Sequence, residues 1–417
     1  MEPHPKKLNI ENIRAIKILG KGAMGTVFLA HDRSCDPECT SPFALKVVEK
    51  ALLHLKHHDA DRRARWEMSV LSSINHHPYL PTLLGSFETH DLMGWAVPFC
   101  PGGDLNALRY HQNDRVFSSS AIKFYLAQIV CALYHLHSMG IAYRDLKPEN
   151  VLVQASGHVT LTDFDLSRRL IHHRKKNHGS VGSTEMDNIA PFRELRPPPP
   201  PPPPRRNNMT RILSYGVKYG PGTENGLRKA KSARVSPRRA SFAGGKRSNS
   251  FVGTEEYVSP EVVRGEGHEF GVDWWALGIL AYEMLYGKTP FRGNDRKETF
   301  RNVLTKRPEF LGQRTALIDL IDRLLEKDPS KRLGHFKGAE EIKEHEFFKG
   351  LRWDLLTGIE RPPVVPPSVE VDLTKCVTFD VREYFNELRA PPSLLPSPGR
   401  SLSSLTEEDV DVSLTEF

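Results

Sequence analysis

Within one stretch, Tyr143-Arg144-Asp145-Leu146-Lys147-Pro148-Glu149-Asn150, the chain sets an acid, a base and an amide inside six residues. A second acid, Asp163 of Asp163-Phe164-Asp165, follows thirteen residues after Asn150. Only two β-type runs, Val151-Leu152-Val153 and Val159-Thr160-Leu161, stand between the two polar stretches, so any fold has to keep both beside those strands. Phosphoryl transfer needs this inventory. Asp145 would orient an attacking hydroxyl and accept its proton, with Lys147 near the transferred phosphate. The Asn150 amide oxygen and the Asp163 carboxylate would hold Mg²⁺ against a nucleotide. The competing reading is a polar loop between strands.

Bulk properties narrow the setting. With 417 residues the chain can bury at least one large core, and length alone suggests two or three domains. Five cysteines without regular spacing argue against a disulfide framework and fit a reducing compartment. Cys35-Asp36-Pro37-Glu38-Cys39 lacks a second ligand pair at zinc-like spacing and reads as a solvated hairpin loop. The N-terminus has no apolar core of a secretory signal. The most apolar run, Trp274 to Tyr286, is interrupted by Glu283 and too short to span a bilayer, so a buried helix is expected in a soluble, intracellular protein. The net charge of +7 is unevenly spread: residues 167–249 hold 19 Lys/Arg against 4 Asp/Glu, an excess of +15, which leaves −8 for the remainder. An anionic partner is expected at that segment.

Residues 13–50 read as three short strands. Ile16-Lys17-Ile18-Leu19 leads into Gly20-Lys21-Gly22-Ala23-Met24-Gly25-Thr26-Val27, and Phe28-Leu29-Ala30 runs out. Glycines at 20, 22 and 25 let a backbone turn back closely over phosphates, where a β-carbon would obstruct. A dinucleotide-binding fold shows the same spacing, but there the glycines open a helix, whereas here Thr26-Val27-Phe28 continues a strand. Lys46 lies within the apolar strand Ala44-Leu45-Lys46-Val47, where alternation alone also allows an exposed strand lysine, and a helix is predicted from roughly Asp59 to Ser73 with Trp66, Val70 and Leu71 on one face. Ser118-Ser119-Ser120 caps a second, strongly periodic helix that Gly140 stops.

Taken in order, the glycine loop, the strand lysine, Tyr143–Asn150, Asp163-Phe164-Asp165 and Gly253-Thr254-Glu255-Glu256-Tyr257-Val258-Ser259-Pro260-Glu261 resemble the eukaryotic protein kinases. Asp145 and Lys147, two apart and followed by Pro148-Glu149, match the serine/threonine pattern. The long insertion, Asp-Phe-Asp and Ser248-Asn249-Ser250-Phe251-Val252-Gly253-Thr254 are similar to the plant AGC-VIII kinases of the UNICORN and oxidative-signal-inducible branch. The resemblance implies an α+β fold of two lobes, a small β-rich one at 13–97 and a larger helical one at 102–348, joined by a hinge at 98–101. Residues 1–12 would be an extension and 349–417 an AGC-type tail. It also implies a regulated enzyme of plant signalling that moves the ATP γ-phosphate to protein Ser/Thr hydroxyls, with Mg²⁺.

Residue by residue, the resemblance makes Lys46 the α/β-phosphate ligand, paired with an acid that Glu67 matches better than Glu49 or Asp61. Leu19 to Val27 would cover the nucleotide. The hinge, reached through Trp95-Ala96-Val97-Pro98-Phe99-Cys100, would hold adenine by the Pro98 carbonyl and the Cys100 N–H, with Val97 as the small gate behind it. The missing N–H of Pro98 is therefore tolerated. Asp104 would reach the ribose or a basic substrate side chain, and Asp104, Glu149 and Glu283 match positions that read arginine ahead of a target serine. Thr254 would bond to Asp145 and Lys147, and Glu261 would be buried against Arg332. Ser250 matches the activation phosphosite, whose phosphate Arg144 would pair. Asp165 departs from the family's usual glycine. Left-handed backbone there would cost an aspartate about 1–2 kcal/mol at most, enough to alter how the loop switches but not to abolish activity.

The interval 167–249 contains eight consecutive prolines and basic clusters, and with few aliphatic runs it is expected to be disordered. A solvated linker, nuclear import and binding to anionic lipid all remain open for it, giving cytoplasm and nucleus with peripheral plasma-membrane association as expected locations. Arg238-Arg239-Ala240-Ser241-Phe242 makes Ser241 an autophosphorylation candidate. The end, Leu414-Thr415-Glu416-Phe417, is similar to a docking motif for phosphoinositide-dependent kinase with Leu in place of the first Phe; a plain acidic tail is the alternative. A monomer is expected. A kinase-shaped scaffold without chemistry and a small-molecule kinase are the rival functions.

Overall fold

In the computed structural model, which describes residues 6–22, 24–34, 41–51, 58–74, 76–170, 254–358, 362–366 and 376–389, the chain opens with a sheet. Lys6–Lys7 (β1), Ile13–Lys21 (β2), Thr26–Asp32 (β3), Phe43–Glu49 (β4), Gly85–Glu88 (β5) and Leu92–Pro98 (β6) carry it, joined at one edge by the late strand Phe379–Asp380, β11 in chain order. The order is β1-β5-β6-β4-β3-β2-β11, antiparallel except for β1 on β5. Period-two alternation puts Ile13, Ala15, Phe28, Ala30, Phe43, Leu45 and Val47 in one core. Two register shifts in β2, at Ala15/Lys17 and Ile18/Gly20, bend that strand just before the glycine turn. Between β4 and β5 runs the helix His58–Ser73 (α1), with Val70 and Leu71 buried as its periodicity requires.

The second lobe is helical: Leu105–Tyr110 (α2), Ser119–Ser138 (α3), Pro260–Arg264 (α4), Gly271–Tyr286 (α5), Arg296–Thr305 (α6), Ala316–Leu324 (α7) and Ala339–Lys343 (α8). Four short strands lie among them, Ile141–Ala142 (β7), Val151–Val153 (β8), Val159–Leu161 (β9) and Arg168–Arg169 (β10). Ser118 Oγ accepts from Ala121 N at 3.2 Å to cap α3, and Gly140 takes φ +75° just past its end. The apolar run foreseen as a buried helix is α5, which exposes almost nothing from Val272 to Met284. Among the described residues no helix is long and apolar enough to cross a membrane.

Two boundaries differ from the expectation. Ser167 to Leu170, placed at the start of the basic insertion, belong to the folded body. Arg168–Arg169 pair antiparallel with β7, and Ser167 and Leu170 are buried. Local composition could not show this, because the partner strand lies well upstream, with Arg168 opposite Ala142, 26 residues earlier. The tail also does more than wrap. Residues 362–366 run so close that a Cβ on Gly102 would meet Pro366, and one on Gly157 would meet the Val364 carbonyl. β11 then extends the sheet, and the helix Val381–Arg389 (α9) sets Val381 and Phe385 into the small-lobe core. Phe28 receives the rings of Tyr384 and Phe385 edge-on, with centroids 5.3 and 5.9 Å away. Ala23, Cys35, Cys39, Ser241, Ser250, Leu414, Phe417 and residues 171–253 lie outside the described residues.

Candidate active site

Between the lobes, Lys46 projects from β4. Its Nζ lies 2.8 Å from Glu67 Oε2 on α1 and 3.1 Å from Asp163 Oδ1. Burial pulls the ammonium down, but the charges of Glu67 and then Asp163 outweigh it and hold its pKa above the ordinary lysine value. Burial likewise lifts the Glu67 carboxyl above the usual range, and Lys46 opposes the rise. For Asp163 burial works upward, yet the Lys46 charge and hydrogen bond prevail and keep it below a normal carboxyl. Glu67 is thus the acid on the helix. Asp61 instead pairs with Arg65, and Glu49 with Arg389.

Across from this triad sits the catalytic loop. Asn150 Nδ2 donates at 2.8 Å both to the Asp145 backbone carbonyl and to Asp145 Oδ2, and Lys147 Nζ lies 3.1 Å from the same Oδ2. Lys147 also lowers Asp163 through its charge, so one cation serves both carboxylates. With its NH₂ engaged, Asn150 leaves Oδ1 without a donor among the described residues. Asp163 keeps 39% of its side chain exposed. Asn150 and Asp163 thus each offer an oxygen acceptor, a donor type suited to a hard divalent cation. The Thr162 N–H donates to Asn150 O at 3.0 Å, and the Tyr143 hydroxyl donates to Thr162 O, tying the two polar stretches to each other.

The loop is held from below by a residue whose role the sequence did not show. Asp273, fully buried on α5, accepts from Tyr143 N at 2.9 Å, from Arg144 N at 2.7 Å and faces His137 Nε2 at 2.7 Å. Arg144 takes φ +71°, an unfavourable angle for a β-carbon-bearing residue, which the two amide bonds fix. In the sequence Asp273 only flanks the apolar run Trp274 to Tyr286. A lone acid at the head of a buried helix was the available signal.

The left-handed residue of Asp163-Phe164-Asp165 is Asp163, at φ +57°, and not Asp165, whose backbone is outside that region. The strain expected at the missing glycine is therefore absent. Asp165 is buried and its carboxylate pairs with Arg63 of α1. Burial raises its pKa, the Asp163 charge adds to the rise and Arg63 opposes it. Phe164 packs inward with its ring 5.5 Å from Tyr143.

The glycine turn lies against the lysine strand. Val27 pairs with Lys46 across β3 and β4, and a Cβ on Gly25 would come within 2.3 Å of the Val47 carbonyl. Gly25 is thus demanded by the sheet. Gly20 has no protein atom near its missing Cβ, and Gly22 only the Gly25 carbonyl at 3.9 Å, so that side of the loop stays open. Leu19, Met24 and Val27 are half-buried, Thr26 is buried, and the exposed Lys21 ammonium stands 5.4 Å over the Tyr384 ring. Val97 is half-buried at the end of β6, where Pro98 stands opposite Phe43, and the Cys100 N–H has no acceptor among the described residues. Asp104 caps α2 through Ala107 N at 2.7 Å and bridges to Leu152 beside the catalytic loop.

Asp104, Glu149 and Glu283 do gather, since burial first and then the charges of Glu283 and Asp104 raise the Glu149 pKa. Glu283 is already taken, 3.1 Å from Arg109 and accepting from the Tyr257 hydroxyl. Thr254 departs from its expected role. It lines a cavity of about 20 Å³ with Arg144 and Asp145 but is exposed and makes no hydrogen bond to Asp145 or Lys147 among the described residues. Glu261 and Arg332 meet as foreseen, in a bidentate pair at 2.7 and 2.9 Å.

Comparison with known proteins agrees with this geometry. The protein kinase domain model matches residues 13–186 and 238–348, breaking within the basic, proline-rich interval. Serine/threonine-protein kinase UCN of Arabidopsis thaliana is 54% identical over 400 residues, covering 93% of each chain. UCNL of the same plant is 54% identical over 405 residues, with 95% of this chain and 94% of that one covered. OXI1 is 41% identical over 371 residues, covering 88% and 81%. Lysine, acid pair, catalytic loop and relatives agree, and this chain belongs to the protein kinase family as a serine/threonine kinase of the plant AGC-VIII type, with UCN, UCNL and OXI1 as relatives.

Proposed function

We propose that this serine/threonine kinase is basophilic, phosphorylating serines preceded by arginine, and that it is switched by phosphorylation of its own activation segment. Protein kinases use ATP and Mg²⁺, and the residues here fit both. Asn150 Oδ1 and Asp163 would hold the metal, Lys46 the phosphates beneath the open side of Gly20 and Gly22, and the Pro98 carbonyl and Cys100 N–H the adenine. Mg²⁺, when bound, offsets the charge that accumulates on the phosphate oxygens. Asp145, oriented by Asn150, is placed to align the substrate hydroxyl and take its proton, and Lys147 beside it steadies the carboxylate.

The observation that supports the substrate class is the gathering of Asp104 and Glu149 near the catalytic loop, while Glu283 is engaged by Arg109 and Tyr257. A carboxylate whose pKa is raised by burial and then by neighbouring acids, as that of Glu149 is, gains from a cation brought beside it. The test uses a serine peptide with two arginines upstream and its alanine-substituted counterpart. Wild type should prefer the arginine peptide at least about tenfold in kcat/KM, and Glu149→Gln should erase most of that preference while leaving the alanine peptide unchanged. Equal turnover of both peptides by wild type refutes the assignment. Asp145→Asn and Lys46→Arg, which should both abolish labelling, separate this kinase from a contaminant and from an inactive scaffold.

Regulation has its own support. Burial and then the Arg168 charge lower the Arg144 pKa to about 10, and Arg62 in turn acts on Arg168. The Arg168 charge thus acts on Arg144 of the catalytic loop, a basic setting suited to a phosphorylated Ser250. Autophosphorylation at Ser241, docking of phosphoinositide-dependent kinase through Leu414 and Phe417, and nuclear or anionic-lipid targeting by the basic interval complete the proposal. Ser250→Ala should lower activity, and Leu414→Ala with Phe417→Ala should slow Ser250 phosphorylation by that upstream kinase. Phosphorylation at an unchanged rate rules the docking out.

A further inference from the structure

Arg63 and Glu67 lie one turn apart on α1 and so share a face. Both reach the Asp163-Phe164-Asp165 segment. Glu67 does so through Lys46, which bridges to Asp163, and Arg63 does so directly, through the carboxylate of Asp165. The Asp165 side chain is 4% exposed, whereas that of Arg63 is 38% exposed, so the arginine reaches inward from the rim to a buried acid. A second tie lies just beyond. Trp66 Nε1 donates to Ser167 Oγ at 2.9 Å, and Ser167 Oγ donates to the Phe164 carbonyl at 2.6 Å.

The helix that carries Glu67 is therefore fastened to the segment that carries Asp163 at two points outside the lysine pair. The arrangement has a physical need. Two acids stand two residues apart, Asp165 buried and Asp163 partly exposed, and each has its own cation, Lys46 for Asp163 and Arg63 for Asp165. Any rotation of α1 that frees Glu67 from Lys46 also strips Asp165 of its counter-charge. A glycine at 165 would leave Arg63 nothing to hold and uncouple the two movements.

We propose that Arg63 and Asp165 form a positioning clamp that keeps α1 and the Asp163 segment in catalytic register, so that turnover depends on the pair although neither side chain touches substrate. The clamp rests on the kinase activity of the site. Full-length wild type, Arg63→Ala, Asp165→Asn, Asp165→Gly, Arg63→Lys and the double Arg63→Ala/Asp165→Gly are compared at matched Ser250 phosphorylation, with an arginine-containing serine peptide and Mg-ATP. Arg63→Ala and Asp165→Asn should each lower kcat about tenfold or more, a loss of the size expected for one charge-assisted hydrogen bond, with KM for the peptide within about twofold of wild type. Arg63→Lys should recover most of the rate. The double variant should be no slower than the slower single one, because both report one interaction. Hydrogen exchange across residues 58–73 should rise in Arg63→Ala and fall back in Arg63→Lys.

Rates that multiply in the double variant overturn the clamp. So does a lowered melting temperature with kcat unchanged at 20 °C (the mark of a purely structural contact). A wild type that fails to label any peptide overturns the kinase reading itself, which keeps the two failures distinguishable.

Discussion

Removing one half of the Glu261–Arg332 pair should cost more stability than any surface change in this kinase. Arg332 is 1% exposed, and its guanidinium makes two bonds to Glu261 at 2.7 and 2.9 Å, one to the Gly271 carbonyl at 2.8 Å and one from Nε to the Glu326 carbonyl at 3.0 Å. Burial alone would raise the Glu261 pKa, but Arg332 more than compensates and holds it below the usual range. In Glu261→Gln the fork loses its charged partner while the cation stays buried, a situation that costs about 3–5 kcal/mol. At roughly 2–4 °C per kcal/mol for a folded body of this size, the melting temperature should fall by about 6–20 °C. The double variant Glu261→Gln/Arg332→Met should recover part of the loss, since it leaves no isolated charge. Differential scanning fluorimetry of the purified full-length protein, with peptide kinase activity measured at 15 °C, separates stability from chemistry. A drop smaller than about 2 °C in Glu261→Gln, or a double variant less stable than both singles, would refute the reasoning.

Three further outcomes follow from particular contacts. Asp273→Asn keeps the shape but replaces a charged acceptor of the Tyr143 and Arg144 amides, so kcat should fall about tenfold or more with little change in peptide KM, as steady-state kinetics would show. Phe385→Ala empties a ring pocket against Phe28 and should destabilise the protein by about 3–5 kcal/mol, read from urea denaturation. Hydrogen bonds from Arg65 and then Lys50 hold Glu88 at about 2, and chiefly the Arg389 hydrogen bond holds Asp91 at about 2. Because these values are depressed in the folded state, their stabilisation is present above the ordinary carboxylate range and lost as the pH falls from about 4 towards about 2. Melting temperature against pH should show that decline, and Arg389→Ala should make it shallower.

Much of the site could be read along the chain because its chemistry is local. Asp145, Lys147 and Asn150 stand within six residues, so the hydrogen bonds among them follow from one short loop, and Asp163 is only two short strands away. Lys46 and the glycine turn sit on adjacent strands, but alternation alone could not separate Lys46 from an exposed strand lysine, and the family pattern was needed to assign it. Glu67 needed the helical period of α1 and the family pattern together. Thr254 was placed near Asp145 by motif order, but order carries no hydrogen-bond geometry, and the bond is not there.

The sequence by itself determined the reaction class and the order of the two lobes through its resemblance to the protein kinases, because the motifs that carry that resemblance are runs of neighbouring residues. Only the tertiary structure decided that Asp273 anchors the catalytic loop, that Arg63 answers Asp165, that the left-handed residue is Asp163, and that Val381 and Phe385 close the small-lobe core. Each of the three pairings joins groups roughly a hundred or more residues apart, and the backbone angle at Asp163 is set by packing around it. Burial, counter-charge and register in such pairs arise only when the chain has folded back on itself, and no local period encodes them.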